Sequence, residues 1–166
     1  MTTVATPVDV YYKKRIPYTC RGQTFAFDVA HTLFSSYQVD EGTDLFLRTI
    51  APDSPQTILD LGCGCGVIGI VLARWFPQAR VILADRDLLA VRYARHNAVL
   101  NQVPNVEVIG SVGFEHIPAL PFDLSSPISR QKLVMRPSNA SSFSIRSTIS
   151  VPAATTGLWW SADSTA

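Results

Sequence analysis

The stretch Thr57-Ile-Leu-Asp60-Leu-Gly62-Cys-Gly64-Cys-Gly66 constrains the fold more than any other part of the chain. TILDL is an apolar run of strand length, and VIGIVLARWF, directly after the glycines, is a helix ended by Pro77. A strand that runs through glycines into a helix lets the backbone approach a bound group where any Cβ would clash. The same arrangement points the helix N-terminus, with its unpaired N–H groups, at that group. A second strand, VILAD, closes at Asp85, 19 residues after Gly66. A carboxylate in that position can accept hydrogen bonds from both hydroxyls of a ribose. Loop plus carboxylate indicates a nucleoside-bearing cofactor.

The neighbouring segments extend the same pattern. Asp9 to Lys14 and Thr24 to Asp28 read as short strands around an Arg21-Gly22-Gln23 turn. Asp40 or Thr43 caps a helix with apolar positions Leu45, Phe46, Leu47 and Ile50, and Pro52 and Pro55 break the chain after it. Leu88 to Leu100 is a helix with Val91, Tyr93, Ala94 and Ala98 turned inward, Asn101 at its end and Pro104 beyond. NVEVIG is a third strand of the core, and PFDL begins a fourth. Strands and helices alternating through short connections predict an α/β fold with a parallel sheet covered by helices.

Which cofactor the loop takes depends on its fine pattern. Gly64-x-Gly66-x-x-Gly69 satisfies the dinucleotide fingerprint formally. Taking Gly64 as the first glycine, however, puts Asp60 and Gly62 inside a strand that should stay apolar up to the turn. Taking Gly62 first leaves Val67 where the third glycine belongs. Asp60, two residues before Gly62, suits a ligand that carries a cationic amino-acid group. The pattern favours S-adenosyl-L-methionine (SAM) over a dinucleotide.

ILDLGCGCGVIGIVLAR and VILADRDLLAVRYARHNAVLN resemble the small-domain branch of class I SAM-dependent methyltransferases. That branch contains ribosomal-RNA guanine N2-methyltransferases and resembles the enzymes that methylate a release-factor glutamine. LFSSYQVDEGTDLFL resembles the segment the branch carries just before its core, so the resemblance covers about residues 30–124. It implies a Rossmann-like methyltransferase sheet, here incomplete and with a small N-terminal β element, and SAM as the cofactor. Asp60, Gly62, Gly64 and Gly66 match the cofactor loop, Asp85 the ribose-binding acid, and Ser111 a position near the adenine. It also implies methyl transfer to a nitrogen of an RNA or of a protein amide. Direct in-line displacement needs positioning more than acid–base machinery, in keeping with a sequence that shows no catalytic triad. The alternatives are an inactive or truncated SAM-binding pseudo-enzyme and, behind it, a dinucleotide-dependent oxidoreductase.

Other features read more plainly. Cys63 and Cys65 lie inside the glycine loop with no second ligand pair, so no metal site is expected. His31, His96 and His116 are scattered, with His96 a surface side chain, and Asn97 and Asn101 are helix-end and packing residues. Lys13-Lys14-Arg15, beside Tyr11 and Tyr12, reads as a solvated strand edge rather than a nucleic-acid contact. No apolar stretch approaches the roughly 20 residues of a membrane span. The N-terminus lacks the apolar core of a signal peptide. With a formal net charge of +1 there is no chain-wide field for a polyanion, and a reduced, cytoplasmic protein is expected.

The composition breaks after Leu124. Residues 1–124 hold 12 of the 13 acidic side chains, whereas residues 125–166 hold Asp163 alone and 11 serines. The expected organisation is an N-terminal β extension over 1–36, a SAM-binding core over 37–124 and a Ser-rich tail over 125–166. In the resembled family the fourth strand continues from a lead such as Phe-Asp-Leu into an Asn-Pro-Pro-Tyr-like motif that orients the acceptor amine. Phe122-Asp123-Leu124 is present, and Ser-Ser-Pro-Ile-Ser-Arg follows instead. One base inserted after the Leu124 codon lets codons permitted by the tail spell Ile-Val-Ser-Asn-Ile-Pro-Ala-Lys-Ala-Gly. Further on, Gly157-Leu-Trp-Trp-Ser161 becomes Gly-Leu-Val-Val-Val, a good buried strand. The tail then reads as an out-of-frame translation of a methyltransferase C-terminal half. The other reading is a genuine disordered tail.

Overall fold

The computed structural model describes residues 10–33 and 38–127. The Ser-rich tail beyond residue 127 and the expected strand residue Asp9 lie outside the described residues. The elements are β1 (Tyr12–Cys20), β2 (Gln23–Ala30), α1 (Glu41–Thr49), β3 (Thr57–Leu61), α2 (Val67–Trp75), β4 (Arg80–Asp85), α3 (Leu88–Leu100), β5 (Val106–Gly110) and β6 (Leu124–Pro127). β3 to β6 form one parallel sheet in the order β5-β4-β3-β6. The chain steps outward from β3 to β5 and then returns to the other side of β3. This places the reversal of strand order beside β3, where ligands of open α/β sheets bind.

Alternation along the strands separates two faces. Ile58, Val81, Leu83 and Leu124 join the large core that includes Ile68, Ile70 and Leu72 of α2 and Ala94 and Ala98 of α3. Leu59, Ile82 and Phe122 form a second cluster, against which Phe114, Ile117 and Leu120 of the β5–β6 connection pack. α1 takes Asp40 as its N-cap, whose Oδ1 accepts from the Thr43 N–H at 3.0 Å. Leu47 and Ile50 are its buried apolar residues, whereas Leu45, expected on the apolar side, is exposed.

The antiparallel pair β1–β2 departs furthest from expectation. β1 does not end at Lys14 but runs on to Cys20, straight through Pro17. β1 lies at the edge of a two-stranded sheet, where a residue without an N–H is tolerated. Ile16, Tyr18 and Cys20 alternate inward and share the main core with Phe25, Phe27 and Val29 of β2. Arg15 stands exposed on this edge strand, and its Nε and Nη2 also donate to the two oxygens of Asp28 at 2.7 and 2.9 Å.

Candidate functional site

β3 and β4 are adjacent and parallel, so Asp60 and Asp85 flank a loop at the carboxyl ends of neighbouring strands. The loop is hung from β4 by its backbone. Gly62 and Cys63 N–H both donate to Ala84 O, at 2.7 and 3.1 Å, and Gly64 N–H donates to Asp85 Oδ2 at 2.9 Å. Asp85 Oδ1 accepts from Asp87 N–H at 2.9 Å, which turns the chain toward α3. Each oxygen keeps a second lone pair for a ligand hydroxyl.

Two glycines are there for different reasons. Gly66 is the N-cap of α2 with φ +89°, and a Cβ on it would sit 2.9 Å from Ile70 Cδ1 and 3.0 Å from Leu83 Cδ2. It is small because the protein leaves no room. Gly64 has φ +55°, and a Cβ there would meet nothing within 4 Å. The space beside Gly64 is open.

Asp60 lies beneath the loop, 3% exposed, and its Oδ2 accepts from Gly69 N–H in α2 at 2.9 Å. Burial pushes its pKa up to about 7, the Gly69 bond opposes that, and the nearby charge of Asp85 adds to the rise. A buried carboxylate that titrates near neutrality suits a site where a cation arrives. Burial also raises both loop thiols, Cys65 to about 12, so they are protonated and unreactive at neutral pH. Among the described residues there is no group of three or more His, Cys, Asp or Glu that could hold a metal ion.

Asp60, Gly62, Gly64, Gly66 and Asp85 thus surround one loop, and Ser111, directly after β5, joins them. Ser111 N–H donates to Asp85 O at 2.9 Å, and its hydroxyl bonds Gly113 O and His116 N–H. Leu88 and Val112 are both exposed apolar side chains close to Asp85 and Ser111 in the chain. A Cβ at Gly110 would touch Leu88 Cδ2 at 3.1 Å. Leu88 and Val112 both leave apolar surface exposed near the carboxyl ends of β4 and β5.

His96 and Asp28 escape a reading of the sequence, while Asn97 is the packing residue expected, with partners the sequence does not show. His96 is not a surface side chain: its Nε2 lies 2.7 Å from Asp28 Oδ2 and the side chain is 17% exposed. Asp28 is buried between Arg15 and His96. Burial raises its pKa, but the bonds from Arg15 and His96 outweigh that and hold it below the ordinary carboxylate value. Asn97 is fully buried and bonds both β2 and the glycine loop. The only sequence signal for these contacts is the occurrence of polar residues on the face of α3 that also carries Tyr93, Ala94 and Ala98.

Comparison with known proteins places the chain in a family. The methyltransferase small domain profile matches residues 24–130. The ribosomal RNA small subunit methyltransferase C of Hahella chejuensis is 39% identical over 85 residues, 51% of this chain and 25% of that protein. Its namesake from Pseudomonas putida is 38% identical over 97 residues, 58% of this chain and 28% of its own length. The match therefore spans about a quarter of the length of these relatives. Among solved structures, precorrin-6y C5,15-methyltransferase from Geobacter metallireducens superposes with a TM-score of 0.51 at 20% identity. The overlap covers 60% of this chain and 52% of that one. The parallel sheet is a Rossmann-like methyltransferase sheet, and the dinucleotide reading of the loop is not favoured. The chain belongs to the methyltransferase small domain family, a SAM-dependent family.

Proposed function

We propose that residues 38–127 are the cofactor-binding half of a SAM-dependent N-methyltransferase acting on RNA. The observation that carries this reading is the single unit formed by the glycine loop and Asp85, closed by the Gly64–Asp85 bond at 2.9 Å. The donor set fits the cofactor. Asp85 can receive the two ribose hydroxyls, and the open side of Gly64 admits a group against the backbone. Asp60 supplies a negative charge for the amino-acid end, and Leu88 and Val112 flank the base. When bound, SAM supplies a methyl group activated by its sulfonium. The chain's own residues bind and orient, and none of them is assigned a proton transfer. The ribosomal-RNA relatives support RNA as the acceptor and, with it, the cytoplasm as the place of action.

The test is calorimetric titration with SAM, S-adenosylhomocysteine and NAD. Binding of the first two and not of NAD supports the reading, and the reverse overturns it. Methyl transfer from labelled SAM to ribosomal RNA against a glutamine-containing peptide, measured with the frame restored after Leu124, then identifies the acceptor.

A second observation concerns β6. It pairs with β3 in the register Ile58↔Leu124, Leu59↔Ser125, Asp60↔Ser126, Leu61↔Pro127. A strand in this position of a parallel sheet is ordinarily an apolar, β-branched run. Leu-Ser-Ser-Pro is a poor one, while Leu-Ile-Val-Ser, spelled by the shifted frame, is a good one. We infer that a base has been lost after the Leu124 codon, in the gene or in the reading of its sequence. The shifted frame also puts the acceptor-orienting Asn directly after the strand.

A further inference from the structure

We propose that Asn97 is a positioning residue for the glycine loop, through which the β1–β2 hairpin sets the shape of the cofactor site. The proposal rests on the assignment of that loop to the cofactor. Asn97 Nδ2 donates to Cys65 O at 2.9 Å and to Asp28 O at 3.0 Å, and Asn97 Oδ1 accepts from Asp28 N–H at 2.8 Å. One buried amide therefore spends both donors and an acceptor on two segments far apart in the chain. The Cys65 carbonyl belongs to the same planar unit as the Gly66 N–H. Gly66 N–H itself donates to Cys63 O at 2.8 Å. Fixing the Cys65 oxygen thus fixes the plane of the peptide at the N-cap of α2, and with it the direction of the turn between Gly64 and α2.

Asn101, one turn further along α3, is an internal control. Its Oδ1 accepts from Ala26 N–H at 3.0 Å and its Nδ2 donates to Ala26 O at 2.7 Å, the same exchange with β2 that Asn97 makes at Asp28. Its remaining bond goes to Asn97 O, at 2.9 Å, and not to the loop. The two asparagines share the task of docking β2 on α3. Only Asn97 reaches the loop.

The experiment uses the intact 166-residue chain with Asn97→Ala, Asn97→Asp and Asn101→Ala. Asn97→Asp keeps the acceptor for Asp28 N–H but turns an oxygen toward two carbonyls. Asn97→Ser, which retains one donor in less volume, replaces Asn97→Ala should that variant not fold. Amide hydrogen exchange over residues 61–70 is the first readout. The Asn97 variants should exchange there about tenfold faster, while Asn101→Ala exchanges faster in β2 and is unchanged in the loop. Unchanged loop exchange in the Asn97 variants, or equal acceleration in Asn101→Ala, overturns the proposal. The second readout is affinity for S-adenosylhomocysteine, expected to fall about tenfold in Asn97→Ala and less than twofold in Asn101→Ala. Should neither the unaltered chain nor the frame-restored one bind S-adenosylhomocysteine, the cofactor assignment fails, and loop exchange still decides the role of Asn97.

Discussion

The Gly64 N–H donates to Asp85 Oδ2 over 2.9 Å, and this bond makes the glycine loop and the end of β4 a single mechanical unit. A ligand that engages the carboxylate therefore meets a loop already in place. Replacing Asp85 with Ala removes the acceptor for the ligand hydroxyls and for Gly64 together. SAM affinity should fall by roughly 1–3 kcal/mol, the range for lost charge-assisted hydrogen bonds. Titration of the variant beside the unaltered protein checks this, and an unchanged affinity removes Asp85 from the cofactor site.

Gly64 and Gly66 should separate binding from folding. A side chain at Gly64 enters open space at a left-handed φ, so Gly64→Val costs the fold only about 1–2 kcal/mol while blocking the ligand. A side chain at Gly66 enters the packing of Ile70, Leu83 and Ala94, so Gly66→Ala lowers the melting temperature first. Thermal melts and titrations on the pair should give opposite orders of damage. The same order in both would mean that the space at Gly64 is not where the ligand lies.

Asp60 gives a pH dependence of definite sign. Its folded pKa is raised to about 7, so between its unfolded value, about 4, and 7 the folded state holds the extra proton. The unliganded protein should therefore lose stability from this group as pH rises from 4 to 7, and change little above. Binding a cationic ligand group needs the ionised form. Affinity should fall up to about tenfold for each pH unit below 7 and level off above 8. Asp60→Asn should abolish both slopes. A pH-independent affinity in the unaltered protein would place the cation elsewhere.

Asp28 should behave in the opposite sense. Arg15 and His96 hold its folded pKa below the ordinary value. Its stabilising contribution is thus complete above the unfolded pKa and is lost as pH falls through the folded one. Asp28→Ala should cost about 2 kcal/mol at pH 7, discounted for the half-exposed Arg15, and should blunt acid unfolding. Urea unfolding at pH 7 and pH 4 measures both effects. An acid limb as steep in the variant as in the unaltered protein would assign acid sensitivity to another group.

The parallel core was legible because its signals are local. TILDL, VIGIVLARWF and VILAD each carry one period over a few residues, and Asp60, the glycines and Asp85 are fixed relative to those elements by short connections. The run from Ile16 to Cys20 was also legible in principle, since Ile16, Tyr18 and Cys20 alternate. Pro17 in its midst is tolerated because β1 is an edge strand. The Asp28–His96 and Asp28–Asn97 contacts had no such signal. They join residues 68 and 69 positions apart, and polar side chains on a helix look like surface until the partner strand is in place.

The last prediction concerns the frame after Leu124. β6 adds Leu124, Ser125, Ser126 and Pro127 to the sheet beside β3, on the side where the strand order reverses. In the chain as given, the strand next to Asp60 is polar, and no acceptor-orienting Asn follows Phe122-Asp123-Leu124. Apolar strands in this position extend the sheet, are themselves buried on both faces, and cover its edge. If residues 125–166 are out of frame, the sheet misses such strands, and the apolar surface and open edge that remain favour aggregation. The 166-residue chain should therefore bind SAM weakly and transfer no methyl group. Inserting one base after the Leu124 codon should raise solubility, strengthen SAM binding and restore transfer to RNA. Sequencing the gene is the first check, because stops in the shifted frame would end the idea. Expressing both versions is the second. Equal melting temperatures and equal stabilisation by SAM would show that residues 125–166 are a native part of this protein.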